Sequence, residues 1–363
     1  MEISRVVMWF MALGALLGGV DLLLGSRFGL GQRFEEAFRL LGPIGLSMAG
    51  ILCLSPVLAS FLDWCAAPLL SGIGLDPGIL GGMLAIDMGG YPLAKELAAD
   101  PLIGKLSGIL ISSTFGCTLV FTIPLGLGIL GEEDRPWFIR GLLAGLGAMG
   151  AVLIPGAVLV GLPLGRGLYN LLPMLVLCGG LALWMRKGAD WALKCFRALS
   201  AGIRVLSVLG LTLGAVEYMT GWQLLPGMKS LKEAMQVVCS IGIVMLGSMP
   251  LAELLRRMME RPLGWVQRKT GLNSESTTAL LVGMVSISPA LAAIPRMDRR
   301  GKVAVSACMV CAGSCFAAHL GYTMEAEPEM VGVLLAVKLL GGVLAVCAAM
   351  AVTRDLRPAQ AES

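Results

Sequence analysis

The sequence predicts an all-α integral membrane protein built from two inverted repeats, and three observations predict it. Composition sets the solvent: 56% of residues are hydrophobic and 14% charged, with a mean hydropathy of +0.83, whereas about a quarter of the residues of a soluble domain are charged. Nearly every stretch between charge clusters is an apolar run near the ~20 residues that cross the hydrocarbon core of a bilayer. Finally, residues 36–124 recur without a gap at 233–321. In that register Glu36-Ala37 meets Glu233-Ala234, Ile44-Gly45 meets Ile241-Gly242, Met48 and Gly50 meet Met245 and Gly247, Pro92 meets Pro289, and Gly104-Lys105 meets Gly301-Lys302. Shared Gly, Pro and Lys in one register mark an internal duplication.

The apolar segments run 6–24, 37–61, 78–98, 103–130, 138–163, 168–185, 203–220, 234–255, 276–295, 303–323 and 331–352. The first has Arg5 as its only preceding base and is long for a leader, so it reads as a span rather than a cleaved signal. Eleven crossings is the plain count, and an eleven-helix bundle is the alternative. The charges argue against it. Arg256, Arg257, Arg261, Arg268 and Lys269 precede segment 276–295, and Arg296, Arg299, Arg300 and Lys302 follow it. Both loops are then cytoplasmic, because inside loops carry the excess of Lys and Arg. A segment with both ends on one side does not cross, so 276–295 reads as a re-entrant hairpin turning at Ser286-Ile287-Ser288-Pro289. Arg354 and Arg357 place the C-terminus inside, Glu325, Glu327 and Glu329 fall outside, and Arg186, Lys187, Lys194 and Arg197 mark another inside loop. Counting back puts 78–98 in a hairpin entering from outside, and the N-terminus outside. Nine spans and two hairpins result in a single membrane domain. Repeat 1 covers about 5–163, repeat 2 about 203–352, and 168–185 is the linking helix.

The first hairpin tip reads Asp87-Met88-Gly89-Gly90-Tyr91-Pro92. Glycines and a proline break a helix and free backbone polar groups. Asp87 is the carboxylate set deepest in an apolar run, and an unpaired charge there costs roughly 2.5 to 3.5 kcal/mol on insertion scales, so such groups mark a pathway. A cationic substrate relieves that cost. Capping of the following half-helix is the competing role. Ser112-Ser113-Thr114-Phe115-Gly116-Cys117-Thr118 is a polar interruption of segment 103–130, read with 313–319 as a broken helix, where Ser113 and Thr114 are candidates for a substrate hydroxyl; back-bonding within the helix is the alternative for the hydroxyls. The corresponding stretch 313–321 holds His319, the one histidine of the chain. Ser286 and Ser288 line the second tip. Lys95 and Glu96 stand at the outer mouth, as a local charge pair or as access and gating residues.

The ten cysteines lie scattered in apolar runs and suggest packing rather than disulfides. Cys308, Cys311 and Cys315 share a helix face, but no second ligand type accompanies them, so neither a metal nor a cofactor is expected. The net charge of +4 sits in loops and calls for no nucleic acid. No phosphate loop or nucleophile–His–acid set appears. An intramembrane enzyme using Asp87 or His319 as acid or base is the reading from another class.

The run from Asp87 to Ala98, DMGGYPLAKELA, closely resembles the signature of the ethanolamine permease family, the EutH-type ethanolamine utilization proteins. Phe34-Glu35-Glu36-Ala37-Phe38, Gly221-Trp222-Gln223-Leu224-Leu225-Pro226-Gly227, Met297-Asp298-Arg299-Arg300-Gly301-Lys302-Val303 and His319-Leu320-Gly321 agree in order. The resemblance implies movement of ethanolamine, or another small amine, across the bacterial inner membrane. It also implies a functional link to cytoplasmic ethanolamine-degrading enzymes in a protein-shelled microcompartment, with homo-oligomerisation open. Ethanolamine, an ammonium with one hydroxyl, suits a carboxylate such as Asp87 at one end and a polar patch such as Ser113 or Thr114 at the other, with Tyr91 or Phe115 as a cation-π face. Two departures stand out. The family pattern has Gly-Asp before His-Leu-Gly, where this chain has Ala317-Ala318, and Asn-Asn-Ile-Pro where it has Ser286-Ile287-Ser288-Pro289. The first leaves His319 without a neighbouring acid.

Overall fold

A computed structural model describes residues 3–84, 87–187, 189–258, 264 and 267–356. Arg261 and Arg357 lie outside the described residues, as do the side chains of Asp87, Arg186 and Lys187. The helices in chain order are α1 Ile3–Leu23, α2 Leu30–Arg39, α3 Leu41–Cys65, α4 Ala67–Gly72, α5 Ile79–Met83, α6 Gly90–Leu97, α7 Pro101–Ile129, α8 Arg135–Val160, α9 Leu164–Lys187, α10 Ala189–Thr220, α11 Leu231–Met258, α12 Ser274–Val285, α13 Ile287–Ala293, α14 Arg299–Ala312, α15 Ala318–Ala326 and α16 Val331–Val352. No strand occurs among the described residues. Eight helical stretches, α2 and α3 counted as one, are long and apolar enough to cross a membrane, and the outward faces of α1 (Trp9, Phe10, Leu16), α9 (Val176) and α16 (Val343) leave large apolar side chains exposed. Such surface belongs in lipid. This is an all-α integral membrane protein.

The segments 78–98 and 276–295 are not single helices. Each is a pair of short antiparallel helices, α5 with α6 and α12 with α13. A methyl built on Gly81 would strike Ala94, one on Gly78 would strike Ala98, and Gly283 faces Ala290. The pieces hold 5, 8, 12 and 7 residues, or at most about 18 Å at about 1.5 Å per residue, well short of the ~30 Å core. Each pair is tied at its open end. Asp76 accepts from the N–H groups of Gly78, Ala99 and Asp100 at 2.8, 3.2 and 2.8 Å. Asn273 caps α12 through Ser276 N–H at 2.9 Å, and its own N–H donates to Asp298 at 3.0 Å. These clasps satisfy backbone donors that a helix terminus would otherwise leave without partners.

The two hairpins open at opposite ends of the molecule. Lys105, at the start of α7, pairs with Glu327, after the end of α15, at 3.2 Å. Lys302, in the first turn of α14, pairs with Asp134, beyond the end of α7. The chain through α7 therefore runs antiparallel to the chain through α14 and α15, with the first hairpin's base at the Lys105 end and the second's at the Lys302 end.

The expected interruptions of these central stretches differ in kind. The second is a break: α14 stops at Ala312, Ser314 takes a left-handed φ of 53°, and α15 resumes at Ala318. Ser314 N–H and Phe316 N–H donate to the carbonyls of Gly283 and Met284 at 3.1 and 2.9 Å, which docks the break on the end of α12. The first is not a break, and this corrects the sequence reading. α7 is continuous, with π-type winding over Leu106–Gly116 and Thr118–Thr122. Thr114 and Thr118 hydroxyls bond back to the carbonyls of Leu110 and Thr114, both at 2.7 Å. Competition of this kind for helix carbonyls loosens regular winding, and π-type turns recur at functional sites.

Candidate functional site

The structure holds two polar regions, one buried at Lys338 and one lining a cavity at the Lys105 end. At the centre, Lys338 projects from α16 into the core with no exposed surface. Its Nζ donates to the carbonyl of Ser113 in α7 at 2.8 Å and to that of Gly313 at the break at 2.9 Å. Nδ1 of the buried His319 lies 3.0 Å from the same Gly313 oxygen. Because a carbonyl only accepts, Nδ1 carries the proton in that contact. The α16 backbone comes this close because Gly341 and Gly342 face α14: a methyl on Gly342 would sit 2.9 Å from Ala312 Cβ. Lys338 lies one helical turn before them on the same face.

At the Lys105 end, a cavity of ≈ 430 Å³ is lined by Tyr91, Lys95, Glu96, Lys229, Glu233, Tyr322 and Glu325, with apolar residues of α3 and α11. Tyr91 and Tyr322 meet edge to face at 6.2 Å, and the Tyr91 hydroxyl donates to Glu327. Lys95 Nζ lies 5.7 Å from the Tyr91 ring centroid and 3.7 Å from Glu327. Burial raises the Glu327 pKa, but the Tyr91 hydroxyl, Lys105 and Lys95 outweigh it and hold the carboxyl below its usual range. A lowered pKa means that the pairing of Glu327 with Tyr91, Lys105 and Lys95 is intact above the ordinary carboxylate range and is lost only as pH falls through the lowered value. With three carboxylates lining the cavity against two lysines, this mouth favours cations over anions.

Asp87 and Gly89 form the 3₁₀ turn at the first hairpin tip; the Asp87 side chain lies outside the described part. Gly90 lies against Gly81 and Ser112, where a methyl would be 2.5 Å from the Gly81 carbonyl and 2.2 Å from Ser112 Oγ. The hairpin tip therefore rests on the π-wound stretch of α7. Ser113 and Thr114 are buried with hydroxyls on the Leu110 carbonyl at 3.3 and 2.7 Å, and Phe115 is buried beside them. It is the Ser113 carbonyl, not its hydroxyl, that reaches Lys338. Ser286 is the extended residue between α12 and α13 (φ −147°), and Ser288 is exposed at that tip. Lys95 and Glu96 do not pair with each other. Glu96 bonds Lys229 at 2.7 Å and Lys95 faces Glu327, because neighbours on a helix point about 100° apart and each finds its partner across the mouth.

Lys338, Tyr322 and Glu327 escaped the sequence reading. Lys338 had a usable signal, since it is the single charge within the apolar run 331–352, and the rule that selected Asp87 selects it equally.

The family model described as "Ethanolamine utilisation protein, EutH" matches residues 3–352. This chain belongs to the EutH family. It is 35% identical over 350 residues to the uncharacterized protein YxeR of Bacillus subtilis, covering 96% of this chain and 95% of that one. It is 31% identical over 347 residues to the probable ethanolamine permease EutH of Listeria monocytogenes, covering 95% and 93%. A probable ethanolamine permease EutH of Salmonella typhimurium is 31% identical over 389 residues, covering 96% and 95%. No solved structure matches the chain. As an EutH family member with this many apolar helices, it is a multi-pass membrane protein.

Proposed function

We propose that this chain carries ethanolamine, as the ammonium ion, through the bacterial inner membrane into the cytoplasm, where catabolic enzymes of a microcompartment consume it. The observation that carries this reading is the match to the EutH family over residues 3–352, together with relatives of nearly equal length named probable ethanolamine permeases. The geometry supports a carrier rather than an enzyme. A cation-attracting mouth leads to a hairpin tip that rests on a π-wound helix, and buried carbonyls at the centre already hold a primary ammonium, that of Lys338. In this reading Asp87 receives the substrate ammonium, and Tyr91 and Tyr322 line the cavity through which it enters. Purified protein in proteoliposomes should accumulate labelled ethanolamine faster than protein-free vesicles, and unlabelled ethanolamine should compete. Equal rates in the two kinds of vesicle would remove the permease function.

The reading includes inverted repeats with nine crossings, the N-terminus outside and the C-terminus in the cytoplasm. Its support is a set of coincidences at the single offset of 197 residues. α1 ends at Leu23 and α10 at Thr220, α6 begins at Gly90 and α13 at Ile287, and α7 ends at Ile129 and α15 at Ala326. Asp76 and Asn273 hold the two clasps, and Lys105 and Lys302 make the two end-to-end ion pairs. Opposite orientation of equivalent elements is the pattern of inverted-repeat transporters. In a background without the ten native cysteines, Arg268→Cys and Arg299→Cys should label from the cytoplasm and Ser71→Cys from outside. Labelling of Ser71→Cys and Arg268→Cys from one side would refute the inversion.

A further inference from the structure

We propose that Lys338 is a built-in cation, its ammonium occupying the place that a coupling sodium ion would take between the two central stretches, so that carriage of the amine needs no sodium. The inference rests on the permease reading above. Gly313 caps the C-terminal end of the half-helix α14, where the last carbonyls lack intrahelical partners and the negative end of the helix dipole is exposed. Ser113 lies in the π-wound stretch of the antiparallel α7. In transporters with discontinuous helices, unwound carbonyls and half-helix C-termini of this kind are what hold the coupling ion near the midplane. Here they hold a covalently attached ammonium, at 2.8 and 2.9 Å, in a position with no exposed surface.

The same contacts make Lys338 a positioning residue. It joins the middle of α7 to the break after α14, and it shares the Gly313 oxygen with His319. Movement of one central stretch past the other must stretch or exchange these bonds. A tethered cation supplies the charge in every state, whereas a diffusible ion would have to bind and leave.

The test compares wild type, Lys338→Ala and Lys338→Met in proteoliposomes with sodium or with tetraethylammonium, which is bulky and carries neither N–H nor hydroxyl, as the only added cation. Wild type should take up labelled ethanolamine at the same rate in both. Lys338→Ala should lose about tenfold or more in tetraethylammonium and recover in sodium, because the vacated carbonyls and the space left by the side chain admit the ion. Lys338→Met fills the space without charge and should stay low in both. If Lys338→Ala denatures on purification in tetraethylammonium, it should survive in sodium. Sodium-dependent wild-type uptake would overturn the proposal, as would undiminished Lys338→Ala uptake in tetraethylammonium or a Lys338→Ala protein that sodium neither reactivates nor stabilises. Should wild type move no ethanolamine in any medium, the permease reading fails, while the effect of sodium on the thermal unfolding of the two variants still decides the role of Lys338.

Discussion

Asp87→Asn should lower ethanolamine uptake by about two to three orders of magnitude while leaving the folded protein in the membrane. Removing one member of a buried charge pair costs about 3 to 5 kcal/mol, and each 1.4 kcal/mol is about tenfold in affinity. The substitution is nearly isosteric, so the 3₁₀ turn at Asp87–Gly89 and the seat of Gly90 on α7 should persist. The loss should appear in the concentration dependence of uptake, with elution from size exclusion unchanged. An Asp87→Asn protein with a normal transport curve would assign Asp87 to capping alone.

The second large effect is on folding. α1 and α11 cross at Gly14 and Gly247, where a methyl on Gly247 would lie 1.9 Å from the Met11 carbonyl oxygen and one on Gly14 2.3 Å from that of Gly247. The equivalent Gly50 meets α10, at 1.7 Å from the Ser207 carbonyl. These obstacles are backbone, so no rotamer change relieves them. Overpacking a core costs typically about 1 to 3 kcal/mol and more when the backbone must move. Gly247→Leu should therefore destabilise by about 3 kcal/mol or more and leave little monodisperse protein in detergent. Gly147→Leu, where nothing lies within 4 Å, is the control and should be nearly silent. Similar thermal unfolding of the two variants would mean that the α1–α11 crossing is not as close as described.

Most apolar runs were legible as long helices because the bilayer imposes a length on them, and the pairs of short helices at 78–98 and 276–295 lie where hairpins were expected. A break was expected near 313–319, and the helix does stop at Ala312, before Gly313, and resume at Ala318. The winding of α7 was not: π-type turns arise from hydroxyl and tertiary competition for carbonyls, which no periodicity reports. Lys338 was hidden by averaging, because one lysine barely changes the hydropathy of a 22-residue helix. The Glu96–Lys229 and Lys105–Glu327 pairs join residues 133 and 222 positions apart, and only the fold brings them together. The sequence offered Asp87, Tyr91, Ser113 and His319 as candidates, of which Tyr91 lines the cavity, the Ser113 carbonyl meets Lys338 and His319 shares the Gly313 oxygen with it. It did not foretell that Lys338 links the backbone at Ser113 to the carbonyl beside His319.

Carriage of the ammonium form should show in the pH dependence of uptake. Neutral ethanolamine leaks through lipid, whereas a charged group pays heavily to enter hydrocarbon. The neutral fraction of a weak base falls about tenfold per pH unit below its pKa, so leak collapses on acidification while a carboxylate site still accepts the ammonium. Labelled uptake at low ethanolamine should be measured with and without the protein from about pH 5.5 to about pH 8.5. The ratio of the two rates should rise steadily as the medium is acidified, until the binding carboxylate itself takes up a proton. A ratio that is flat, or greatest at the alkaline end, would contradict an ammonium carrier.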